Sequence, residues 1–346
     1  MQDPLVGVPK AELHVHLEGS ISPQTLLQLA RRHGVELPAT DLDGLRQWFQ
    51  FRDFEHFVDI FLTCSRCLRD AEDFLLITQD FAREQVRQGV IYTEAHFTLG
   101  THIRNGGNAS EIIDALQQGV LFARELGLEL RFIFDIIRNI PDMADDTLEW
   151  ALKARDTGIM AAIGLSGFED HPTQPFAGHF EEAERQGLHR TAHAGEHAGP
   201  ESIEAALEYA RAERIGHGIR AIDSPALVTE LATQGVMLEV CPTSNVQLHA
   251  VADFADHPFR RLDEAGIQVT VNSDDPPLFN TTLLGEYRVL QDQFEYDRAG
   301  LVRIARNAFI HSFAEPELRQ RLLAEFDRCS QPSTDPSGST FEQGST

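Results

Sequence analysis

Residues 130–165 read LRFIFDIIRNIPDMADDTLEWALKARDTGIMAAIGL, and this stretch contains the repeating unit of the fold. It starts with an apolar run, Leu130 to Ile137, that has the β-branched and aromatic residues typical of strands. A helical pattern from Ala144 to Thr157 follows, and a second apolar run extends from Met160 to Leu165. Because a strand, a helix and a strand in succession indicate parallel pairing, this stretch predicts a βαβ unit.

The same alternation extends in both directions from this unit. The eight predicted strands are the one counted from Glu12, then Val90 to Phe97, Leu130 to Ile137, Met160 to Leu165, Leu188 to Ala192, Arg214 to Gly216, Val236 to Cys241 and Ile267 to Asn272. Eight such units predict an α/β fold of the (β/α)8 TIM barrel type. A doubly wound sheet is less favoured, since no Gly-x-Gly-x-x-Gly follows the first strand.

Helical patterns outside the repeat predict extra helices after strand 1 and near the C-terminus. These patterns cover residues 22–34, 54–62, 71–88 and 287–328, whereas residues 36–50 are mixed and interrupted by proline. We predict one barrel domain over residues 1–330. Residues 331–346 are rich in Ser, Thr, Pro and Gly and have little to bury, so we predict a disordered tail there.

The composition limits the classes of partner. A formal charge of -25 disfavours nucleic acids and anionic membranes, which attract Lys and Arg clusters. The four cysteines fit no disulfide framework, and no run of 18 apolar residues or basic leader is present. We therefore expect a cytoplasmic protein that acts on a small molecule. The oligomeric state cannot be read from the sequence.

In a TIM barrel the chemistry lies at the carboxyl ends of the strands, and several predicted strands end in titratable residues. His14 and His16 project from the same face of the first strand. His193 ends the fifth strand, His217 the sixth, and Asp274 and Asp275 the eighth. Of these residues, His14, His16, His193 and Asp274 form a nitrogen and oxygen set that suits one Zn²⁺ with a position left for water.

Two further residues are candidates for acid-base work. Glu196 lies three residues after His193, and partial burial would raise its pKa enough for it to donate a proton. It would otherwise only cap the following helix. His217, flanked by Gly216 and Gly218, is a candidate ligand, a base or a structural histidine.

Four ordered motifs resemble the signature set of the adenosine deaminase family in the amidohydrolase superfamily, whose members are metal-dependent hydrolases. They are PKAELHVHLEG at residues 9–19, HAGE at 193–196, RIGHG at 214–218 and NSDDP at 272–276. The likeness extends from about Pro9 to Phe313. It implies hydrolytic deamination of a 6-aminopurine, with ammonia as a product.

The resemblance also implies a role for individual residues. His14, His16, His193 and Asp274 would bind one zinc, with Asp274 also catalytic and His16 also near the substrate. His217 would orient or deprotonate the attacking water, and Glu196 would protonate N1 of the purine. Asp275 would meet N7, and the backbone of Gly167 would meet N3. Attack at C6 fits this arrangement, because zinc lowers the pKa of bound water to about 7.

Local departures from the family pattern bear on the substrate. Gly216 and residues 277–283 differ from the pattern of adenine deaminases, which favours a nucleoside. Glu18 replaces the aspartate that reaches the ribose 5′ hydroxyl in adenosine deaminases. It marks either a different 5′ group, as in 6-aminodeoxyfutalosine, or a bacterial variant. His96 stands where arginine is more usual, and Arg104 and Arg138 are candidates for binding a substrate carboxylate.

Three other readings are weaker. A two-metal hydrolase would have a Lys or Glu at the fourth strand, where this chain has Leu165 to Gly167. A cytidine deaminase would have His-x-Glu and Pro-Cys-x-x-Cys, whereas Cys64 and Cys67 lie on an amphipathic helix and are expected in the core. A zinc-stabilised binding module would usually lack the acid or the base, and both Glu196 and His217 are present.

Overall fold

The computed structural model describes residues 5–52 and 54–330, with no account of the side chains of residues 54 and 55. Eight parallel strands pair in the order β1 to β8. They are β1 Lys10–His16, β2 Val90–Phe97, β3 Glu129–Ile137, β4 Met160–Ser166, β5 His189–Ala194, β6 Arg214–His217, β7 Met237–Val240 and β8 Val269–Val271. The predicted tail at 331–346 lies outside the described residues.

The first and last strands meet through a single bridge between Val15 and Asp274. The backbone N–H of His16 donates to the carbonyl of Asp274 at 2.9 Å, and that of Asp274 donates to the carbonyl of His14 at 3.2 Å. This bridge closes the sheet, so the predicted (β/α)8 barrel is confirmed. It also brings the carboxyl ends of β1 and β8 into contact.

The helices lie between the strands and around the barrel. They are α1 Pro23–His33, α2 Leu42–Phe49, α3 Phe54–Arg66, α4 Ala71–Arg87, α5 Leu99–Arg104, α6 Ala109–Glu125, α7 Ala144–Arg155, α8 Ala177–Arg185, α9 Pro200–Tyr209, α10 Pro225–Gln234, α11 Pro242–Gln247, α12 Phe259–Glu264, α13 Leu283–Asp292, α14 Arg298–Ile310 and α15 Pro316–Ser330. The extra helices after strand 1 and near the C-terminus are therefore present.

Helix α1 illustrates how local sequence sets the ends of an element. The side chain of Ser22 accepts a hydrogen bond from the backbone of Thr25, and Pro23 takes the first helical position. The helix ends at Gly34, whose φ of 63° suits a residue without a Cβ. Both ends agree with the sequence pattern.

Some boundaries differ from the prediction. The mixed region 36–50 contains helix α2, which Asp41 caps by accepting from the backbone of Gly44. The helical region 287–328 is three helices, because Asp297 caps a new start at α14 and Pro316 begins α15. Helices α5 and α11 follow β2 and β7 directly and were not predicted. Their six-residue length is too short for a periodic pattern to appear.

No helix in the described part of the chain combines the length and the apolar character needed to cross a membrane. The barrel core is formed by buried side chains from every strand, and Cys64 and Cys67 are buried with it, as expected from their helix pattern. The core therefore leaves the strand ends as the place where buried polar groups gather.

Candidate active site

Four predicted ligand residues come together at the carboxyl end of the barrel. His14, His16, His193 and Asp274 each offer one ligand atom, and these atoms lie within 4.8 Å of one another. The Nε2 atoms of His16 and His193 are 3.2 Å apart, and Oδ1 of Asp274 is 3.3 Å from Nε2 of His16. Strands β1 and β5 and the residues after β8 thus point one donor set at one spot.

His14 is oriented by a carboxylate from β7, which lies two strands away around the closed barrel. Its Nδ1 donates to Oε2 of Glu239 at 2.9 Å, while its Nε2 is buried with no hydrogen-bond partner among the described residues and lies 3.6 Å from Oδ1 of Asp274. The other Glu239 oxygen, Oε1, lies 2.6 Å from Nε of Arg214. Histidine ligands commonly donate their second ring N–H to a carboxylate, which leaves the other nitrogen for a metal.

The charges around this cluster favour a cation. Burial acts to lower the pKa of His14, but Asp274 and Glu239 raise it to about 10. Burial would raise the pKa of Glu239, and Arg214 and His14 together hold it at about 2. The side chains therefore favour positive charge at the position where Nε2 of His14 is unpartnered. Nitrogen and carboxylate donors that converge on such a spot fit a divalent metal ion such as zinc.

Two residues of the site have backbone conformations that are unusual for residues other than glycine. His217 has a φ of 60° and Asp274 a φ of 63°. A non-glycine residue in this left-handed region is strained by roughly 1–3 kcal/mol and persists where the surrounding fold over-determines it. His217 is the last residue of β6, and Asp274 lies three residues after the end of β8, so both positions are where the chain turns at the end of a strand. Ser244 holds Asp274 by donating its hydroxyl to Oδ2 at 2.6 Å.

Glu196 lies at the wall of a cavity beside this cluster, as predicted. Burial raises the pKa of Glu196 well above its usual value, and the carboxylates of Asp274 and Glu169 act in the same direction. The carboxyl group therefore holds its proton more tightly than an exposed glutamic acid does. Burial and the neighbouring His14 lower the pKa of His217 to about 3, so that ring is neutral. A carboxyl group with a raised pKa and a neutral imidazole thus stand next to each other.

The carboxylate of Glu169 holds the loop that carries Glu196. Oε2 of Glu169 accepts from the backbone N–H of Gly195 at 2.7 Å, and Oε1 accepts from the backbone N–H groups of Glu196 and His197, both at 2.9 Å. The hydroxyl of Ser202 adds a fourth bond at 2.6 Å. These bonds fix the backbone at Glu196. Its side chain accepts through Oε1 from Nδ2 of Asn245 at 3.1 Å, so this oxygen bonds a residue of α11 and not the start of α9.

Asp275 and Gly167 line the same cavity. Burial and the charge of Asp274 raise the pKa of Asp275 to about 8, and none of the described residues forms a hydrogen bond with its buried Oδ1. The backbone of Gly167 has a φ of 91°, and a Cβ there would lie 2.6 Å from Oδ1 of Asn139. Glycine is therefore required at this point of the wall.

The cavity has a volume of about 610 Å³, within the range of roughly 300–1,000 Å³ typical of small-molecule sites. Its polar floor includes His16, His193, Glu196, His217, Asp274 and Asp275. Its apolar wall includes Phe57, Val58, Phe61 and Leu62 of α3 together with Ile137, Ile140, Phe168 and Leu248. Polar groups at one end and apolar side chains elsewhere fit a ligand with a heteroaromatic head and a less polar body.

Glu18 is not among the described residues that line this cavity. It is fully buried, and its Oε1 accepts from the backbone and hydroxyl of Thr98, at 2.9 and 2.7 Å, and lies 3.0 Å from Nε2 of His102. Thr98 does line the cavity. Oε1 of Glu18 therefore holds the turn after β2, whereas its Oε2 is buried with no hydrogen-bond partner among the described residues. The contact between Glu18 and the substrate stays a prediction.

The two arginines considered for a substrate carboxylate are elsewhere. Arg138 is 2% exposed and donates to the carbonyl of His193 at 2.7 Å, while Arg104 is exposed and lies 3.6 Å from Asp142. Neither residue lines the cavity, and the described lining residues include no Lys or Arg. Arg138 thus supports the backbone at a cluster histidine.

His96 packs directly beside the cluster. Its ring centroid is 4.7 Å from that of His14, its Nδ1 is 3.0 Å from Oδ1 of Asp135, and its Nε2 is buried with no hydrogen-bond partner in the described part of the chain. Burial lowers its pKa below the usual value. The unusual residue noted on the second strand is therefore next to the ligand set.

Several residues of the site were not predicted from the sequence. They are Glu239, Ser244 and Asn245 near the end of β7, Glu169 after β4, and Thr98 after β2. The rule that strand ends carry the chemistry would have found Ser244 and Asn245 in the run Cys241 to Asn245. That run contains no histidine or acid, so the sequence did not indicate a site residue there. Glu239 is inside a strand, where only the closed barrel reveals its neighbour.

Comparison with known proteins agrees with this geometry. The family model described as "Adenosine deaminase" matches residues 9–329. The chain belongs to the adenosine deaminase family. Among curated relatives, an aminodeoxyfutalosine deaminase from Streptomyces coelicolor is 39% identical over 93% of this chain and 84% of its own. An adenine deaminase from Cupriavidus necator is 37% identical over 92% of this chain and 91% of its own.

Solved structures of family members have the same fold. An adenine deaminase from Arthrobacter aurescens superposes with a TM-score of 0.84 at 31% identity, covering 93% of this chain and 98% of that one. An N6-mAMP deaminase from Arabidopsis superposes with a TM-score of 0.83 at 27% identity, covering 94% and 100%. Membership of the family makes the chain a hydrolytic aminohydrolase, and the predicted resemblance is confirmed.

Proposed function

We propose that this protein deaminates a 6-aminopurine nucleoside hydrolytically, with one zinc ion per chain held by His14, His16, His193 and Asp274. The observation that carries the proposal is the convergence of this donor set, three of whose members (His16, His193 and Asp274) line one cavity together with Glu196, whose pKa is raised by burial. The curated relatives support it, because their names describe removal of an amino group from a purine or a purine nucleoside.

The protein residues divide the work of the reaction. Zinc bound by the cluster would supply a hydroxide nucleophile near neutral pH, because it lowers the pKa of water to about 7. Glu196 donates its proton to N1 and so neutralises the charge that develops on the ring as C6 is attacked. Asp274 accepts a hydrogen bond beside the nucleophile. His217 orients or deprotonates the nucleophile from the adjacent wall.

Other groups position the purine. Asp275, whose raised pKa keeps a proton available, faces N7 as a donor, and the backbone of Gly167 faces N3. Three contacts around the ring edge would fix C6 over the cluster. General acid catalysis of this kind typically contributes 10²- to 10⁴-fold, and orientation adds to it.

The size and character of the cavity favour a nucleoside over a free base. A volume of about 610 Å³ exceeds what a single bicyclic ring needs, and the apolar side chains of α3 offer a surface for a substituent on the ring. A nucleoside extended at the 5′ position, such as 6-aminodeoxyfutalosine, would use more of this surface than adenosine. Its carboxylate would then lie in solvent at the mouth, since the described lining residues include no Lys or Arg.

Adenine is the second candidate. Two observations favour it: the 37% identity to a curated adenine deaminase and the 31% identity to a solved one. A comparison of kcat/KM for adenosine, deoxyadenosine, adenine and 6-aminodeoxyfutalosine separates the candidates. The proposal expects a nucleoside to be the best substrate. A kcat/KM for adenine at least tenfold above that of every nucleoside would overturn the nucleoside assignment.

We also propose a cytoplasmic location, which the scarcity of cysteine supports.

A further inference from the structure

Asn245 connects the two groups to which the proposed reaction assigns proton chemistry. It lies in α11, immediately after β7, and is fully buried. Its Nδ2 is 3.1 Å from Oε1 of Glu196 and also 3.1 Å from Nδ1 of His217. A primary amide nitrogen has two hydrogens and no acceptor capacity, so it donates one hydrogen to each neighbour.

The orientation of this amide is set by a second histidine behind it. The backbone N–H of Phe259 donates to Nδ1 of His257 at 3.1 Å, so that nitrogen carries no proton. The remaining nitrogen of the ring, Nε2, must then carry the hydrogen, and it lies 3.2 Å from Oδ1 of Asn245. Burial and the nearby charge of Arg261 lower the pKa of His257 to about 3, which agrees with a neutral ring.

The donor and acceptor roles of four side chains are therefore linked. These are His257, Asn245, His217 and Glu196. His257 can only donate to Asn245 through Nε2, which places the amide oxygen toward His257 and the amide nitrogen toward the cavity. The amide nitrogen can only donate, so Nδ1 of His217 must accept. A competing contact, Oε1 of Glu196, lies 3.5 Å from the same Nδ1, longer than the contact from Asn245.

We infer that Asn245, oriented by His257, is a positioning residue that fixes where both Glu196 and His217 carry their protons. His217 has its hydrogen on Nε2, and the proton of Glu196 is on Oε2, since Oε1 accepts from the amide. This inference rests on the proposed function only for its kinetic consequence. The hydrogen-bond directions themselves follow from the backbone donor at Phe259.

The consequence for the reaction is specific. The Oε2–H bond of Glu196 breaks as the N1–H bond of the purine forms, and the electron pair stays on the carboxylate. The hydrogen bond from Asn245 to Oε1 then stabilises that carboxylate, because a charged acceptor bonds more strongly than a neutral one. His217, with its hydrogen on Nε2, donates a hydrogen bond to the oxygen that adds to C6. Of the two roles left open for His217, orientation is the one that this tautomer allows.

The test is the tautomer of His217, measured in the zinc-loaded full chain labelled with ¹⁵N-histidine. Long-range ¹H–¹⁵N correlation spectra distinguish a protonated ring nitrogen from an unprotonated one, and loss of signals in His217→Gln assigns the residue. We expect an unprotonated Nδ1 and a protonated Nε2. A spectrum of the wild-type protein with the proton on Nδ1 of His217 would overturn the inference, and His217→Gln serves only to assign the signals.

Variants test the relay. Asn245→Asp replaces the donor with an acceptor of the same shape, so we expect the tautomer of His217 to reverse and kcat to fall about 10²-fold with a smaller change in KM. His257→Gln keeps a donor for Oδ1 of Asn245 and is expected to keep the wild-type tautomer. Asn245→Asp with an unchanged tautomer and kcat would contradict the assignment.

Asn307→Asp provides the matched control. Asn307 is also buried and also donates through Nδ2, in this case to the carbonyl of Val269 at 3.0 Å. We expect it to lower thermal stability and leave the His217 tautomer unchanged. The tautomer does not depend on turnover. If no 6-aminopurine were a substrate, the proposed function would fail while the proton assignment could still be confirmed or refuted.

Discussion

Gly19 and Asp275 lie so close together that a Cβ at position 19 would be 1.5 Å from Oδ1 of Asp275. The contact joins the turn after β1 to the turn after β8, the two strands whose bridge closes the barrel. The glycine of the first motif is therefore needed for the aspartate of the last one. The proposed metal ligands His16 and Asp274 precede Gly19 and Asp275 in the chain, so this contact joins the proposed ligand set to the proposed purine contact.

Gly19→Ala should displace the Asp275 carboxylate. We expect kcat/KM to fall at least about tenfold, corresponding to about 1.4 kcal/mol of transition-state stabilisation, with the zinc content unchanged. Gly178→Ala is the control, because a Cβ at position 178 would have no atom of the described residues within 4 Å and the backbone there is helical. Equal kinetics for Gly19→Ala and wild type would show that Asp275 does not need its present position.

Glu239→Gln should weaken zinc binding about 10- to 100-fold, as is typical when the partner of a histidine ligand is removed. His14 and Arg214 face different oxygens of Glu239, and a glutamine keeps only one acceptor oxygen and presents an NH₂ group, which cannot accept, to the other donor. Glu213→Gln is a matched control on the outside of the site, where Glu213 similarly lies 2.9 Å from His189 and 3.1 Å from Arg190. Competition with a chelator measures both affinities. Equal losses in the two variants would refute the orienting role.

His16→Ala and His217→Ala separate a metal ligand from a residue that acts on the nucleophile. We expect His16→Ala to lose both zinc and turnover, because the cluster keeps only three donors. His217→Ala should keep zinc and lose most turnover. Metal analysis of the purified variants decides the matter, and equal zinc loss in the two would make His217 a ligand.

Glu196→Gln should bind substrate yet turn over 10²- to 10⁴-fold more slowly, since an amide cannot act as the acid. The direction in which kcat/KM of the wild type changes with pH provides a second test. Burial and two carboxylates raise the pKa of Glu196, so kcat/KM should fall as the pH rises through that raised pKa. Glu196→Gln with near wild-type kcat would refute the assignment.

Glu286 lies outside the ligand cluster, and we expect its titration to make the free energy of unfolding depend on pH. Burial raises the pKa of this carboxyl from 4.5 to about 7, despite hydrogen bonds from Thr243 and Thr281. The folded state thus binds the proton more tightly than the unfolded state. Its contribution to the free energy of unfolding is present below pH 4.5 and is lost as the pH rises through 7.

Glu286→Gln keeps an acceptor for the backbone of Thr243 and a donor for the hydroxyl of Thr281, without the titration. We expect the stability of wild type relative to this variant to fall between pH 4.5 and 7 in urea unfolding. A difference that stays constant across this range would show that the carboxyl titrates normally in the folded state.

The eight strands and the four candidate ligands were predictable because each depends on local pattern. Apolar runs mark strands, and the strand-end rule places His14, His193 and Asp274 on one rim without coordinates. Short helices such as α5 and α11 lack enough turns to show periodicity. Glu18 shows a different limit, because its type suggests a substrate contact while its actual partners, Thr98 and His102, are about eighty residues away in the chain.

Residues that act through another residue were the least predictable. Asn245 and Glu169 have no sequence feature that names Glu196 as their neighbour, and only the barrel brings them together. Glu239 lies among apolar residues of β7. A buried acid there implies a hydrogen-bond or ion-pair partner, because an unpaired buried charge is costly, but the sequence does not identify that partner. A sequence can therefore indicate which groups perform the chemistry, while the residues that orient them follow from the folded contacts.

Release of ammonia from a 6-aminopurine nucleoside, measured before and after zinc is returned to metal-free protein, tests the proposed zinc-dependent deamination. We predict that the metal-free protein is inactive, and that ammonia release is restored at one zinc per chain with one ammonia formed for each nucleoside consumed. A folded protein that carries zinc at the cluster and releases no ammonia from adenosine, deoxyadenosine, 6-aminodeoxyfutalosine or adenine would contradict it.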